Sequence, residues 1–329
     1  MQALILAAGK STRTYPLTLT RPKPLLKAAN KTFLEWNLDA LQGIVSEAVI
    51  VVGYKQEMVR KYFGKKYKKI KIKYAVQKQQ LGTGHAVMVA ESLIKDKFIL
   101  MMGDDIYSRG DIKNCIKHRY SILVTKVKNP QNFGVILHKN NILVDFVEKP
   151  KKFVSDLAST AFYCLDRKIF YYLKQIKKSE RNELEFPDAV KMLAKNEKVY
   201  CVKSKGWKPI AYPWDLLDAD ISLRKNKNSI GKNSKIFGKV INSSIGNNCI
   251  INGTIKNSII MDNTIISENS MVENSIIGEN VHFDGKIKAK EHGAIISDGV
   301  DAHNATIAPG CRIWPNKKIK NKTIKKDLV

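Results

Sequence analysis

The chain has 329 residues, enough for two domains with separate cores, and its 44% hydrophobic and 26% charged residues are ordinary for a folded globular protein. The formal charge is +27, yet only nine of the 57 cations are arginine. The rest are lysines spread through every predicted element, which speaks against direct nucleic-acid readout by clustered arginine and for a solvated basic face or anionic small ligands. No apolar run reaches a membrane span, and Met1-Gln2 leads straight into a strand, so a cytoplasmic protein is expected. Five scattered cysteines without a Cys-x-x-Cys pair predict reduced, unpaired thiols and no structural zinc.

Ala3 to Ala8 reads as a buried parallel strand ending at Gly9. Hydroxylic residues follow, with Arg13 and Lys23 ten positions apart. Gly9-Lys10-Ser11 is not the end of a P-loop, because Leu4 stands where that motif needs glycine. A dinucleotide fingerprint fails as well, at Ser11. What remains is a strand-to-loop turn that can face anionic oxygens, with Arg13 able to fork onto a phosphate and Lys23, set between Pro22 and Pro24, able to act as a stiffly mounted charge. The alternative is an ordinary turn with solvated cations.

Thr32-Phe33-Leu34-Glu35 has the form of a capping box, predicting a helix that runs past Leu41. Strands are expected at Ala48 to Val52, Ile70 to Val76 and Phe98 to Met102, with helices at Gln56 to Tyr67 and Ala86 to Ile94. This alternation implies right-handed crossovers and an α/β fold with a doubly wound, Rossmann-like, mostly parallel sheet, whose ligands sit at the carboxyl ends of the strands. Gly9, Gln77 and Asp104 fall at such ends. Further strands are expected at Ser121 to Val127, Gly134 to Leu137, Ile142 to Val147 with an Asn140-Asn141 hairpin, Ala161 to Leu165 and Val199 to Lys203. Helices are expected at Leu184 to Lys195 and Leu216 to Arg224.

From Ser229 the texture changes. Ile230 and Ile236 are six apart, as are Ile245 and Ile251, and Asn-Ser-x-Ile recurs at Asn242, Asn257 and Asn274. Short apolar pairs between Gly, Asn and Ser predict a β-helix of hexapeptide-like repeats, an irregular sandwich being the alternative. Lys225 to Asn228 is the expected linker, giving domains 1-225 and 229-329. Four or five turns are expected to Gly310, then a closing coil, with the basic run Lys317 to Lys326 as a frayed, solvated end.

Leu6-Ala7-Ala8-Gly9, Thr12-Arg13, Pro16-Leu17-Thr18 and Pro22-Lys23-Pro24-Leu25 resemble the signature of the sugar-1-phosphate nucleotidylyltransferases. The departures are Ser11, where that family has Gly, and Thr14, where an apolar residue is commoner. Gln77 to Ala86, with Leu81-Gly82-Thr83-Gly84-His85-Ala86, is similar to the base-binding stretch of the N-acetylglucosamine-1-phosphate uridylyltransferase branch. On its own, this stretch could equally be a capped helix start.

The resemblance implies transfer of a nucleotidyl group from UTP, or dTTP, to a sugar-1-phosphate (glucose-1-phosphate or N-acetylglucosamine-1-phosphate). It implies nucleotide binding by Ala8, Gly9, Gln77, Gly82 and Thr83, and catalysis by Arg13 and Lys23. Gly134, Glu148 and Lys149 would form the sugar-phosphate pocket, and Asp104 and Asp215 would hold Mg²⁺. Without the resemblance, Glu148-Lys149 is a surface charge pair and Asp215 a helix cap. A left-handed parallel β-helix and a homo-oligomer, a trimer through the coil being one form, are also implied. The rivals are a bifunctional enzyme with acetyltransferase activity on the coil and a catalytically silent regulatory or scaffold subunit. In the strand before Tyr163, Ser159 and Ala161 stand where the family has Asn and Gly, so a sugar pocket with one fewer amide and one more methyl is expected.

Overall fold

A computed structural model describes residues Met1 to Val329. The chain forms two compact units, one made of Met1–Gly9 and Leu34–Pro209, the other of Lys10–Phe33 and Ile210–Val329. The first unit is built on a ten-stranded sheet. Gln2–Ala7 lies inside its parallel part, paired with Glu47–Val52 on one side and Phe98–Met102 on the other. Every residue of Gln2–Ala7 is buried, which explains why Ala3 to Ala7 is a continuous apolar run rather than an alternation. Ile70–Val76 joins Glu47–Val52 in parallel. Beyond Phe98–Met102 the long strand Leu157–Leu165 enters antiparallel, and Ser121–Lys126 pairs with its other side. Gly134–Lys139 and Ile142–Glu148 form the hairpin at Asn140 and Asn141, both with positive φ as a tight hairpin turn requires. Leu4, Val49, Leu100, Ile122, Phe170 and Val190 belong to one buried cluster.

Several elements differ from the sequence expectation. The helix from Gln56 stops at Phe63, because Gly64 has φ 57° and the chain turns back as Lys66–Tyr67 to pair with Ile70–Val76. The first helix, Phe33–Ala40, ends before Leu41. Thr83–Met88 and a 3-10 turn at Glu91–Leu93 replace one long helix from Ala86 to Ile94. The strand expected from Ala161 begins at Leu157, and a bulge between Ser159 and Tyr163 breaks its register. Two short helices, Arg109–Cys115 and Lys168–Leu173, were not expected. The second is nearly all apolar and shows no helical period.

The second unit contains a parallel coil fitting the left-handed β-helix. Six strands stack in one face: Ser229–Ile230, Ser244–Ile245, Ile259–Ile260, Ile276–Ile277, Ile295–Ile296 and Arg312–Ile313. Ile245, Ile251, Ile255, Ile260, Ile266 and Phe283 fill the interior. Asparagines occupy the turns between strands, Asn242, Asn257 and Asn274 of the repeats as well as a second set. Asn233, Asn248, Asn263 and Asn280 all have positive φ, a conformation Asn tolerates better than most residues. Their amides bond one to the next at 3.2, 3.1 and 3.3 Å, so the corner is also a ladder.

The coil is longer than expected and does not close at Gly310. Lys318–Lys320 and Thr323–Ile324 form a final rung against Asp301–Ile307, with Ile319 buried. The basic end is therefore a strand pair whose apolar residues point inward and whose lysines point out. All five cysteines are buried and unpaired.

Candidate active site

In the first unit, the carboxyl ends of the parallel strands bring together the residues expected to handle a nucleotide. The carbonyl of Ala8 accepts from Tyr54 N at 3.1 Å and from Gln80 Nε2 at 2.8 Å. Gly103 N donates to Leu6 O at 2.8 Å, which places Asp104 directly beyond the end of the central strand pair. Gln77 is buried, its Nε2 donating to Gly82 O at 3.2 Å and lying 3.2 Å from His85 Nδ1. His85 thus orients Gln77, a structural place.

Gly82 has φ 104°, and a Cβ there would stand 2.6 Å from Leu184 O. Gly84 N donates to that same carbonyl at 2.7 Å, and Thr83 Oγ1 accepts from Phe186 N at 3.1 Å. The glycine-rich stretch is therefore shaped by the chain at Leu184 to Phe186, a packing partner that the motif alone did not reveal. Asp105 accepts from Trp207 Nε1 at 3.0 Å. Asn37, fully buried, donates to Asp105 O at 2.8 Å and accepts from Tyr107 N at 3.3 Å, fixing the turn that carries Asp104. Asp111 holds the Trp207 loop through Ser204 Oγ at 2.8 Å and Gly206 N at 3.0 Å. Neither Asn37 nor Asp111 belongs to any short motif, so only the fold could expose them.

Gly134 and Glu148 are opposite one another in the hairpin, and a Cβ on Gly134 would lie 2.6 Å from Glu148 Oε2. Glu148 faces Arg181 Nη2 at 3.4 Å and Lys149 Nζ at 3.9 Å. Burial raises its pKa, against the opposing pull of Lys149 and Arg181. Arg181 also pairs with Glu185 at 2.6 Å, a charge partner the sequence did not suggest for this pocket. Ser159 Oγ accepts from Ala161 N at 3.0 Å and lies 3.3 Å from Tyr163 OH. Ala161 has φ 55°, the left-handed region that explains a family glycine at this place.

The loop with Arg13 and Lys23 belongs to the second unit. Ser11 adopts φ 53°, ψ 53°, again a conformation that suits the family's glycine. Its carbonyl accepts from Thr14 Oγ1 at 2.7 Å and Thr18 Oγ1 at 2.9 Å, so the departure at Thr14 contributes a hydroxyl staple. Lys23 opens the 3-10 turn Lys23–Leu25 and is buried. The Arg13 guanidinium lies 5.8 Å from the Tyr212 ring centre. Asp215 Oδ2 accepts from Ala211 N and Tyr212 N, each at 2.7 Å, so it completes a capping box at the start of Pro213–Arg224.

The same loop is tied to the coil. Arg21 forms ion pairs with Glu279 and Asp298. Thr20 Oγ1 donates to Asp298 at 2.6 Å, and Lys27 Nζ bonds Asp262 at 2.5 Å. Asn30 Nδ2 donates to Ile245 O at 2.8 Å.

A central parallel sheet with an amide, a glycine-rich turn and a carboxylate at its strand ends is the build of a nucleotide-handling α/β protein. The Nucleotidyl transferase family model matches residues 2–226, and the GMPPB C-terminal domain model matches residues 222–329. The chain belongs to the nucleotidyl transferase family. It is 38% identical over 248 residues to the bifunctional protein GlmU of Methanococcus maripaludis, a match covering 74% of this chain and 58% of that protein. It is 31% identical over 237 residues to the UTP–glucose-1-phosphate uridylyltransferase AglF of Haloferax volcanii, covering 68% and 97%. A crystal structure of UDP-glucose pyrophosphorylase complexed with UDP-glucose superposes with a TM-score of 0.62 at 25% identity, covering 69% of this chain and 99% of that one. The chain thus spans less than two thirds of the length of the GlmU relative. No helix is long and apolar enough to cross a membrane.

Proposed function

We propose that the chain transfers a nucleotidyl group from UTP to a sugar-1-phosphate, with residues 1–225 carrying the chemistry and the coil from Ser229 holding the loop that carries Arg13 and Lys23. The supporting observation is the loop itself, with Lys23 buried in a turn fixed by two prolines, in a chain whose family match begins at Gln2. Ala8, Gly9, Gln77, Gly82 and Thr83 bind the nucleotide, with Gln77 Oε1 offering an acceptor to a base edge while Nε2 is held by Gly82 O and His85 Nδ1. Arg13 forks onto the β- and γ-phosphates, and Lys23 faces the oxygens where charge builds.

A phosphate oxygen of the sugar-1-phosphate attacks the α-phosphorus in line. The new P–O bond forms as the bond to the β-phosphate oxygen breaks, and pyrophosphate leaves with that electron pair. No protein nucleophile is consumed, so positioning and charge are the catalytic means. Glu148 accepts from sugar hydroxyls and Lys149 neutralises the sugar phosphate.

Two carboxylates, Asp104 and Asp215, suit a hard divalent cation. Asp215 Oδ2 is held by two backbone N–H groups, and Oδ1 is the oxygen left for an ion. The ion, Mg²⁺ in this reading, would supply charge neutralisation at the phosphates. Measurement of pyrophosphate release over four nucleoside triphosphates and several sugar phosphates tests the assignment. Release with UTP and a hexose-1-phosphate is expected, and no release with any pair would sink it.

A further inference from the structure

On the outer face of the coil, two imidazoles and one carboxylate converge. His282 and Asp301 are cross-strand partners in successive coils, and His303 follows Asp301 by two residues along the same strand, so all three point to one side. Asp301 Oδ1 lies 2.9 Å from His303 Nε2 and 3.5 Å from His282 Nδ1. All three potential ligand atoms fall within 4.8 Å of one another. Bonds of about 2.0–2.1 Å around a tetrahedral zinc-class ion put neighbouring ligand atoms roughly 3.3 Å apart. The observed separations bracket that edge, so an ion could enter with only small rotations of half-exposed side chains.

A second, independent feature orients the His282 ring. His282 Nε2 lies 3.0 Å from Ser267 Oγ, which belongs to the preceding coil. When Nε2–H donates to that hydroxyl, the lone pair of His282 is on Nδ1, the atom that faces Asp301. A ring nitrogen held by an outer partner while the other faces the ion is the usual arrangement of a metal-binding histidine. The two imidazoles meet edge to face, with centres 4.7 Å apart and planes at 87°. Both rings can therefore direct nitrogen toward one point without stacking.

We propose that His282, Asp301 and His303 bind a divalent transition-metal ion of the zinc, cobalt and nickel class. The surroundings select the class. Lys318 and Lys320 stand in register with Asp301 and His303 on the next coil, so an ion held only by charge would find one carboxylate beside two ammonium groups. Mg²⁺ and Ca²⁺ need several hard oxygens and are disfavoured there, whereas borderline cations gain their affinity from imidazole nitrogen. Three protein ligands leave at least one position open to water. The ion ties the coil of His282 to the coil of Asp301, so it stabilises the stack across a rung.

The test uses the full chain, stripped with EDTA, exchanged into buffer with excess Mg²⁺ to fill the carboxylate sites, and titrated with Zn²⁺ by calorimetry or with Co²⁺ by visible absorption. One equivalent is expected to bind, with an intense low-coordinate Co²⁺ band and a rise in melting temperature on Zn²⁺ addition. His282→Ala and His303→Ala should each weaken binding by about 100-fold or more, and Ser267→Ala by about 10-fold. The substituted side chains are half-exposed, and unchanged melting of each metal-free variant verifies its fold. His292→Ala, which removes an imidazole stacked on Trp214 instead, should bind as wild type. No binding by wild type, undiminished binding by the His282→Ala/His303→Ala double variant, or equal loss in His292→Ala would each overturn the proposal.

Discussion

At the scale of single residues, the proposal makes three separable demands. Lys23 is a preorganised charge in a buried turn, and removal of one such donor usually costs about 10²-fold or more in turnover. Lys23→Ala should therefore lose at least that much kcat with an unchanged circular-dichroism spectrum. Wild-type turnover would exclude Lys23 from the chemistry. Ser159 bonds Ala161 N and lies by Tyr163 OH, so its hydroxyl is committed inside the protein, while the Ala161 methyl occupies space that glycine would leave. A missing hydrogen bond costs about 0.5–1.5 kcal/mol, whereas crowding can reject a bulky substituent more strongly. Glucose-1-phosphate is thus expected to be used at least as well as N-acetylglucosamine-1-phosphate with UTP. Comparison of kcat/KM for the two sugars, in wild type and in Ser159→Asn/Ala161→Gly, tests this. A preference for the N-acetylated sugar that the double variant leaves unaltered would dismiss both positions. Glu148 gives a pH signature. Burial raises its pKa, opposed by Lys149 and Arg181, so the folded state binds the proton more tightly than the unfolded state. The associated stability is complete below the ordinary carboxylate range and is lost as pH rises through the raised value. Glu148→Gln keeps the neutral form at all pH values. It should melt with wild type at low pH and above it once wild-type Glu148 has ionised, and a variant that melts lower at neutral pH would refute that sign.

Elements carry a different kind of information, because they decide where those residues can be. The parallel strands were legible from their continuous apolar runs, and so were Gly9, Gln77 and Asp104 as strand-end residues. Asn-Ser-x-Ile repeats were legible as a coil from their spacing and their short apolar pairs, and the structure adds that Asn242, Asn257 and Asn274 each take positive φ. What could not be read was set by distant partners. Leu184 shaping the Gly82 turn and Asn37 fixing the Asp104 turn both depend on contacts far apart in sequence. The basic end reads by composition as frayed and solvated, yet its alternation of Lys318, Ile319 and Lys320 is that of a strand with one buried face. The anchoring of the signature loop was equally hidden. Arg21 sits two residues before Lys23 and pairs with Glu279 and Asp298 of the coil, with little exposure of any of the three side chains. Removing one partner of a buried ion pair strands the other charge, at a cost of about 3–5 kcal/mol. Arg21→Ala should lower the melting temperature by several degrees and reduce kcat, since the turn of Lys23 loses its mooring. Asp298→Asn, which keeps a polar partner, should show a smaller fall of both. A variant that melts early but retains full kcat would separate the mooring from the chemistry.

For the whole molecule, the charge is the property least explained by any one element. A formal +27 on 329 residues is far more than a phosphate site needs, and the lysines are spread over both units. Many are already paired: Lys73 with Glu47, Lys126 with Asp156, Lys168 with Glu197 and Lys174 with Glu91. Exposed pairs of this sort contribute little to stability, about 0–1 kcal/mol each, so folding does not account for the excess. A single-signed field acts at long range instead. It raises the local concentration of multiply charged anions and speeds their arrival, by roughly 10–10³-fold in strongly steered cases. Two anionic substrates, a nucleoside triphosphate and a sugar phosphate, would both be drawn to such a surface. Salt contracts the field, the screening length falling from about 30 Å at 0.01 M to about 8 Å at 0.15 M. Steering changes encounter and not the chemical step, so potassium chloride should lower kcat/KM for the nucleotide by about tenfold across that range while leaving kcat nearly constant. The loss should follow ionic strength alone, being the same for chloride and acetate salts. A kcat that falls with salt while KM stays fixed would place the effect at the reacting groups and deny the surface charge any part in substrate capture.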